Sequence, residues 1–276
     1  MADERQDNQP LLRANNLEKR YERARVLGVR EEVTALRGIS LSLFPQTTLA
    51  LVGESGSGKS TLALCLACLE RPTTGRIWLG TIEITSLKEK ALRMVRPQIQ
   101  LVFQDPANSL NPLWTALEIV REPLQVQRQL NKHQQDEKSR ALLDLVGIPA
   151  QKAKQRPDEF SGGQRQRLAI ARALALEPKV LILDEAFSAL DCSVQAQMVN
   201  LLLDLQASLK LTYLFITHDF ALAAHVSDQI AVMDDGKIVE TGTTEDVVRN
   251  PKHAVTQRLM AAAKTSLAVP SAQRAV

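Results

Sequence analysis

At 276 residues with 45% apolar side chains, the chain is long enough for one substantial core and a smaller subdomain. Its 34 basic and 31 acidic residues leave a formal charge of +3, too balanced for the basic footprint of a general nucleic-acid binder. No apolar run reaches the roughly 18 to 20 residues that span a bilayer, and the polar first ten residues do not read as a signal peptide, so the chain is expected in the cytosol.

Residues 1–10 read as a loose tail. A strand is expected over Leu11–Tyr21, then a basic excursion over Glu22–Glu32 and a second strand over Thr34–Leu43. Tyr21, at a strand end, could stack on a base through its flat face or be a plain strand-end aromatic. Leu49–Val52 is continuously apolar, as a strand buried on both faces of a parallel sheet would be. It runs into Gly53, Glu54, Ser55, Gly56, Ser57, Gly58, Lys59, Ser60 and Thr61, the spacing of a phosphate-binding loop. The three glycines let backbone N–H groups converge, and a helix starting near Lys59 adds its unpaired N-terminal donors. Lys59 would set an ammonium between the β- and γ-phosphates of a nucleotide, and Ser60 would offer its hydroxyl to a magnesium ion. The same helix, expected to Leu69, carries Cys65 and Cys68. At i and i+3 on an apolar helix these thiols read as core packing, since no second pair completes a tetrahedral metal site.

A turn over Arg71–Gly75, a strand over Arg76–Leu79 and a helix over Leu87–Val95 precede the strand Ile99–Phe103, which ends at Gln104-Asp105-Pro106. Gln104 stands just past a buried strand end, where parallel sheets collect ligand contacts; its amide could meet a metal-bound water and a γ-phosphate oxygen. Residues 113–148 read as a helical insertion. Ser161, Gly162, Gly163 and Gln164 open a helix to Leu176 and resemble half of a second anion site, best used across an interface with a partner; a simple cap is the plainer reading. Val180–Asp184 is a buried strand ending in a carboxylate. Asp184 could hold magnesium while Glu185 points at a water in line with the γ-phosphate. Ser188-Ala-Leu-Asp191 forms a turn in which Asp191 bonds across an interface or caps the helix Ser193–Leu209. His218 follows the strand Leu214–Thr217, placed to bridge the γ-phosphate and the attacking water. A strand over Gln229–Met233, an Asp-Asp-Gly-Lys turn, a strand over Ile238–Glu240 and a helical end follow.

In that order, these motifs resemble the ATP-binding cassette (ABC) ATPases of membrane transporters, over roughly residues 10 to 262. The resemblance implies an α/β fold, a P-loop NTPase of the ABC type: a mostly parallel core sheet, an antiparallel β subdomain and a helical subdomain at about 106–176, with tails at 1–10 and 263–276. It implies ATP and Mg2+ bound by this chain, with Ser60, Gln104 and Asp184 at the metal and Glu185, His218, Gln104 and Lys59 as the catalytic set. Tyr21 would hold adenine. Ser161–Gln164 would complete the ATP site of a second ATPase subunit, with Asp191 near the seam, and the region from Gln104 through the insertion would receive a helix of a membrane permease.

Phe103–Pro112, Arg121-Glu-Pro-Leu124 and Ser188–Gln197 are similar to the second ATPase subunit of oligopeptide, dipeptide and nickel importers. That resemblance implies import of a small peptide, nickel or a metal chelate, with two permeases, a non-identical ATPase and an extracytoplasmic binding protein, at the cytoplasmic face of the membrane. The alternatives are a soluble ABC ATPase acting on ribosomes or nucleic acid, and an exporter. Ala186, Phe160 and Cys192 depart from the usual family residues without removing a phosphate or metal ligand. Many members carry a C-terminal cysteine cluster for an iron–sulfur centre; no such cluster occurs in this sequence, and no such centre is expected.

Overall fold

The computed structural model of the chain describes residues 9–24, 30–104, 109–127 and 129–268. Among these the strands are β1 (Leu12–Ala24), β2 (Arg30–Leu43), β3 (Thr48–Val52), β4 (Thr74–Leu79), β5 (Ile82–Glu83), β6 (Ile99–Val102), β7 (Val180–Asp184), β8 (Thr212–Thr217), β9 (Gln229–Asp234) and β10 (Lys237–Thr243). The helices are α1 (Lys59–Leu66), α2 (Glu89–Val95), α3 (Ala116–Gln127), α4 (Lys132–Leu145), α5 (Gly162–Leu174), α6 (Cys192–Leu209), α7 (Phe220–Val226), α8 (Thr244–Arg249) and α9 (Ala254–Ala268).

A six-stranded sheet runs in the order β10-β9-β3-β8-β7-β6, parallel throughout except where β10 returns antiparallel to β9. Parallel strands are covered on both faces, and every residue of β3, β7 and β8 is buried. The period-2 alternation sorts their side chains into two layers. Leu49, Leu51, Val180, Ile182, Leu214 and Ile216 pack with α1 and the antiparallel sheet β2-β1-β4-β5. On the other face, Leu181, Leu183, Tyr213 and Phe215 meet the helical subdomain α3–α5 and α6. Ala50, Val52, Ile230 and Val232 meet α7, α8 and α9.

Because the strands are parallel, the ends of β3, β6, β7 and β8 fall on one edge of the sheet. Residues 53–61, Gln104, Asp184–Glu185 and His218 therefore open onto the same side, although more than a hundred and fifty residues separate the first from the last.

Several boundaries differ from those expected. α1 stops at Leu66 rather than Leu69, because Cys68 takes a left-handed backbone (φ 58°) and the Leu69 and Glu70 N–H groups turn back to the Leu64 carbonyl. Cys65 and Cys68 are buried, and burial pushes both thiols up to about 11, so they behave as small apolar groups. The last helix runs to Ala268, past the expected boundary at 262. Its first turns are anchored by buried Val255, Thr256 and Met260, which lets it continue beyond them. The expected tail residues 1–8 and 269–276, the middle of the Glu22–Glu32 excursion (25–29) and Asp105-Pro106 with residues 107–108 lie outside the described residues.

Candidate nucleotide site

Residues 53–58 carry the chain from β3 into α1, and packing dictates two of the glycines. A Cβ on Gly53 would stand 2.2 Å from the Met233 carbonyl oxygen; one on Gly58 (φ 103°) would stand 2.5 Å from the Ala35 oxygen. The loop is thus wedged between the end of β9 and β2. α1 starts with no side-chain cap and no acid in its first turn, which leaves its N-terminal donors available to an anion.

Lys59 is only 4% exposed. Its ammonium curls back to donate to the Gly53 and Glu54 carbonyl oxygens at 2.8 and 2.9 Å and lies 3.9 Å from Glu185 Oε1. Burial lowers its pKa below the ordinary lysine value, and the carboxylates of Glu185 and Asp184 oppose that shift.

Asp184, at the end of β7, is 8% exposed. Burial raises its pKa, the Ser60 hydroxyl bond counters, Glu185 raises it further and Lys59 counters again. Its Oδ1 is buried with no hydrogen-bond partner. An orphaned, desolvated carboxylate oxygen beside a serine hydroxyl is the donor set a hard divalent cation wants. Among the described residues no three His, Cys, Asp or Glu side chains gather into a metal cluster. These residues therefore fit magnesium held jointly with phosphate oxygens rather than in a protein cage.

Glu185 adopts a left-handed backbone (φ 47°), unusual for a non-glycine residue. Its N–H donates to the Ile216 carbonyl oxygen at 2.9 Å. One carboxylate oxygen faces Lys59 and the other lies 3.5 Å from His218 Nδ1. Gln104 donates from Nε2 to the Ser188 hydroxyl at 3.3 Å, and that hydroxyl donates to the Glu185 carbonyl oxygen at 3.0 Å.

A cavity of about 710 Å3 opens over the loop, with Gly56, Gly58, Lys59, Ser60, Gln104 and Glu185 in its wall. Of the expected strand-end residues, Asp184 is buried next to Glu185, and His218 lines a smaller neighbouring cavity of about 160 Å3 that also includes Glu185, while Gln104 and Glu185 share the wall of the larger one. Tyr21 is not in that wall, but Val33, its cross-strand partner, is; the Lys19 ammonium lies 4.9 Å from the centre of the Tyr21 ring.

Ser161–Gln164 are likewise absent from the wall and form the start of α5. Ser161 and Gln164 close a reciprocal capping box, with bonds of 3.3 and 3.2 Å. A Cβ on Gly163 would meet Val194 Cγ1 at 2.5 Å, so this corner sits tight against α6. Asp191 caps α6 by accepting from the Val194 N–H at 3.0 Å.

One contributor escaped the sequence reading. The Asp235-Gly236 turn braces the phosphate loop: the Gly236 N–H donates to the Ser57 oxygen at 3.0 Å, and the Arg37 N–H donates to the Gly236 oxygen at 2.8 Å. An Asp-Gly pair announces a turn, and nothing local says what the turn touches. A second cavity, about 810 Å3, lies away from this chemistry between the end of β6 and helices α3 and α5, with Phe103, Leu110, Val126 and Arg172 in its wall. Met94 and Val126 at its rim are 75% and 71% exposed.

Residues 36–188 match the family model described as ABC transporter. The chain is 44% identical over 255 residues to the dipeptide transport ATP-binding protein DppF of Escherichia coli (strain K12), covering 92% of this chain and 76% of that protein. It is 46% identical over 270 residues to the glutathione import ATP-binding protein GsiA of the same strain, covering 97% of this chain and 43% of GsiA. Among solved structures it is similar to the ATP-binding cassette MJ0796, a dimer in a post-hydrolysis state bound to ADP and Pi. The TM-score there is 0.75 at 30% identity, over 84% of this chain and 98% of that one.

Proposed function

This chain belongs to the ABC transporter family, and from that premise we propose that it is the ATP-hydrolysing subunit of an importer for small peptides. The observation that carries the reading is the single cavity in which Lys59, Ser60, Gln104 and Glu185 converge over the phosphate loop. The two relatives are named for dipeptide transport and glutathione import, which favours a peptide over nickel or a metal chelate. No helix among the described residues is long and apolar enough to cross a membrane, so the transport path is assigned to permease subunits. The 810 Å3 cavity, with its exposed apolar rim and with Phe103, the residue before Gln104, in its wall, is where a cytoplasmic helix of a permease would seat. The chain would then lie at the cytoplasmic face of the membrane, paired with a second ATPase subunit.

Each residue has a definable task. Lys59 leaves its two backbone carbonyl contacts for phosphate oxygens, which suit an ammonium better than neutral carbonyls do. The uncapped start of α1 presents N–H groups to the same phosphates. Ser60 and Asp184, with Gln104, would hold magnesium, which when bound neutralises charge on the transferring phosphoryl group. Glu185 orients the attacking water and accepts its proton, steadied by Lys59 on one oxygen and His218 on the other. Ser161–Gln164 stand apart from this cavity; with the Ser161 hydroxyl oxygen capping Gln164, the Ser161 hydroxyl proton and the glycine N–H groups at the start of α5 would complete the site of the partner subunit.

The test is to extract the full-length chain from membranes of the cell that makes it. Copurification with two hydrophobic subunits, and ATPase activity raised by a peptide-loaded binding protein, are expected. Cosedimentation with ribosomes or nucleic acid, without membrane subunits, would overturn the importer reading.

A further inference from the structure

The Ser188 hydroxyl has a donor on one side and an acceptor on the other. It accepts from Gln104 Nε2 at 3.3 Å and donates to the Glu185 carbonyl oxygen at 3.0 Å. The same carbonyl oxygen also takes the Ser188 N–H at 3.2 Å. On its other side the Glu185 main chain is tied to the end of β8 through its N–H and the Ile216 oxygen. Glu185 is thereby held in a left-handed conformation (φ 47°) that a glutamate rarely adopts unless its surroundings impose it. That conformation aims the carboxylate between Lys59 and His218. Gln104 and Glu185 come from different strands, β6 and β7, and both line the nucleotide cavity, whereas Ser188 does not.

Resting on the ATPase reading, we propose that Ser188 is a positioning residue that relays the state of Gln104 to the main chain of Glu185. A hydroxyl can donate one hydrogen bond while accepting another, so it can join an amide donor to a carbonyl acceptor, which neither group could do with the other end reversed. When Gln104 turns toward a third phosphate, its Nε2 leaves the Ser188 oxygen. The hydroxyl then loses the donor that polarised it, its bond to the Glu185 carbonyl weakens, and the turn carrying the catalytic carboxylate is released. With a diphosphate, the amide stays on Ser188, polarises its hydroxyl and keeps the turn locked. The main chain of the catalytic carboxylate is in this way made responsive to the group that its water attacks, while Ser188 itself lies outside the wall of the nucleotide cavity.

Amide hydrogen exchange of residues 185–190, read by mass spectrometry on the full-length chain, tests this without requiring turnover. Mg·AMP-PNP is expected to speed exchange in this segment about fivefold relative to Mg·ADP, the effect of weakening about one hydrogen bond. Ser188→Ala and Gln104→Ala should each abolish the difference, the double variant should do no more than either, and Ser188→Thr should restore it. A purely structural serine would loosen the turn equally with both nucleotides, leaving the difference in place. Persistence of the difference in Ser188→Ala, additivity of the two alanine variants, or no difference in the wild type would each overturn the relay. Failure of the wild type to bind AMP-PNP in a parallel titration would overturn the nucleotide reading beneath it.

Discussion

Replacing Asp184 with asparagine is predicted to stabilise the nucleotide-free protein and to weaken its response to magnesium nucleotide. Asparagine keeps the shape of the side chain and can still accept from the Ser60 hydroxyl. What it removes is a carboxylate that is 8% exposed, with Oδ1 lacking any partner. Removing that charge relieves desolvation and repulsion from Glu185 but gives up attraction to Lys59, for a net gain of about 1 kcal/mol. At this length that corresponds to a rise of about 2 °C in Tm.

The pH dependence has a definite sign. The folded-state pKa of Asp184 is raised above the ordinary 3.8, so in the window just above 3.8 the folded protein holds more protons than the unfolded chain. Stability without nucleotide therefore falls as pH rises through that window, and Asp184→Asn removes this component.

With Mg·AMP-PNP at about 100 times its Kd, the wild type should gain about 2.7 kcal/mol, or about 5 °C. The variant, having exchanged the metal-seeking oxygen for an amide, should gain less than half of that. Thermal unfolding followed by circular dichroism, in EDTA and then in Mg·AMP-PNP, reads both effects. A variant that melts lower than wild type in EDTA, yet shifts fully with Mg·AMP-PNP, would refute the reasoning.

Lys59→Ala should weaken ATP binding about 150- to 700-fold by calorimetric titration, since a buried ammonium at contact distance from phosphate contributes about 3 to 4 kcal/mol in a partly screened site. An unchanged isotherm would count against the phosphate-loop assignment. Glu240 accepts from the Lys252 and His253 N–H groups at 2.9 Å and from the Thr256 hydroxyl, fastening the start of α9 to β10. Burial pushes the Glu240 carboxyl up, but those three bonds outweigh it and hold the carboxyl below its ordinary value. Its contribution is thus present above the unfolded value of 4.5 and is lost as pH falls through the lowered one; Glu240→Ala should cost about 2 kcal/mol in urea unfolding at pH 7 and much less in strong acid. An equal loss at both pH values would contradict that role.

The edge proposed as catalytic was legible because its residues lie at the ends of short, continuously apolar strands or in the loop that follows one. In a parallel sheet, strand ends coincide in space whatever their separation in sequence, so Lys59, Gln104, Glu185 and His218 could be grouped before any distance was known. The β7 strand Val180–Asp184 matches its expected bounds for the same reason. Less legible were features set by neighbours far along the chain. The bracing turn at Asp235-Gly236 depends on a bond to Ser57, and the short two-residue strand β5 carries too few residues to show a period. α1 was expected too long because its apolar run continues past Leu66, while Cys68 takes a positive φ that no propensity for cysteine foretells. The linkage through Ser188 was hidden for a related reason: the serine was visible as part of a turn, but its partner Gln104 lies 84 residues away.

The central claim is that Glu185 drives ATP hydrolysis over the phosphate loop of this chain. Purified full-length protein loaded with radiolabelled ATP and magnesium, in wild-type and Glu185→Gln forms, tests it most directly. The wild type should convert its bound ATP to ADP. The variant should bind ATP within about twofold of wild type, since it keeps size and a polar contact, and should release phosphate at least about a hundredfold more slowly. Conversion of bound ATP at the same rate in both proteins would contradict the account.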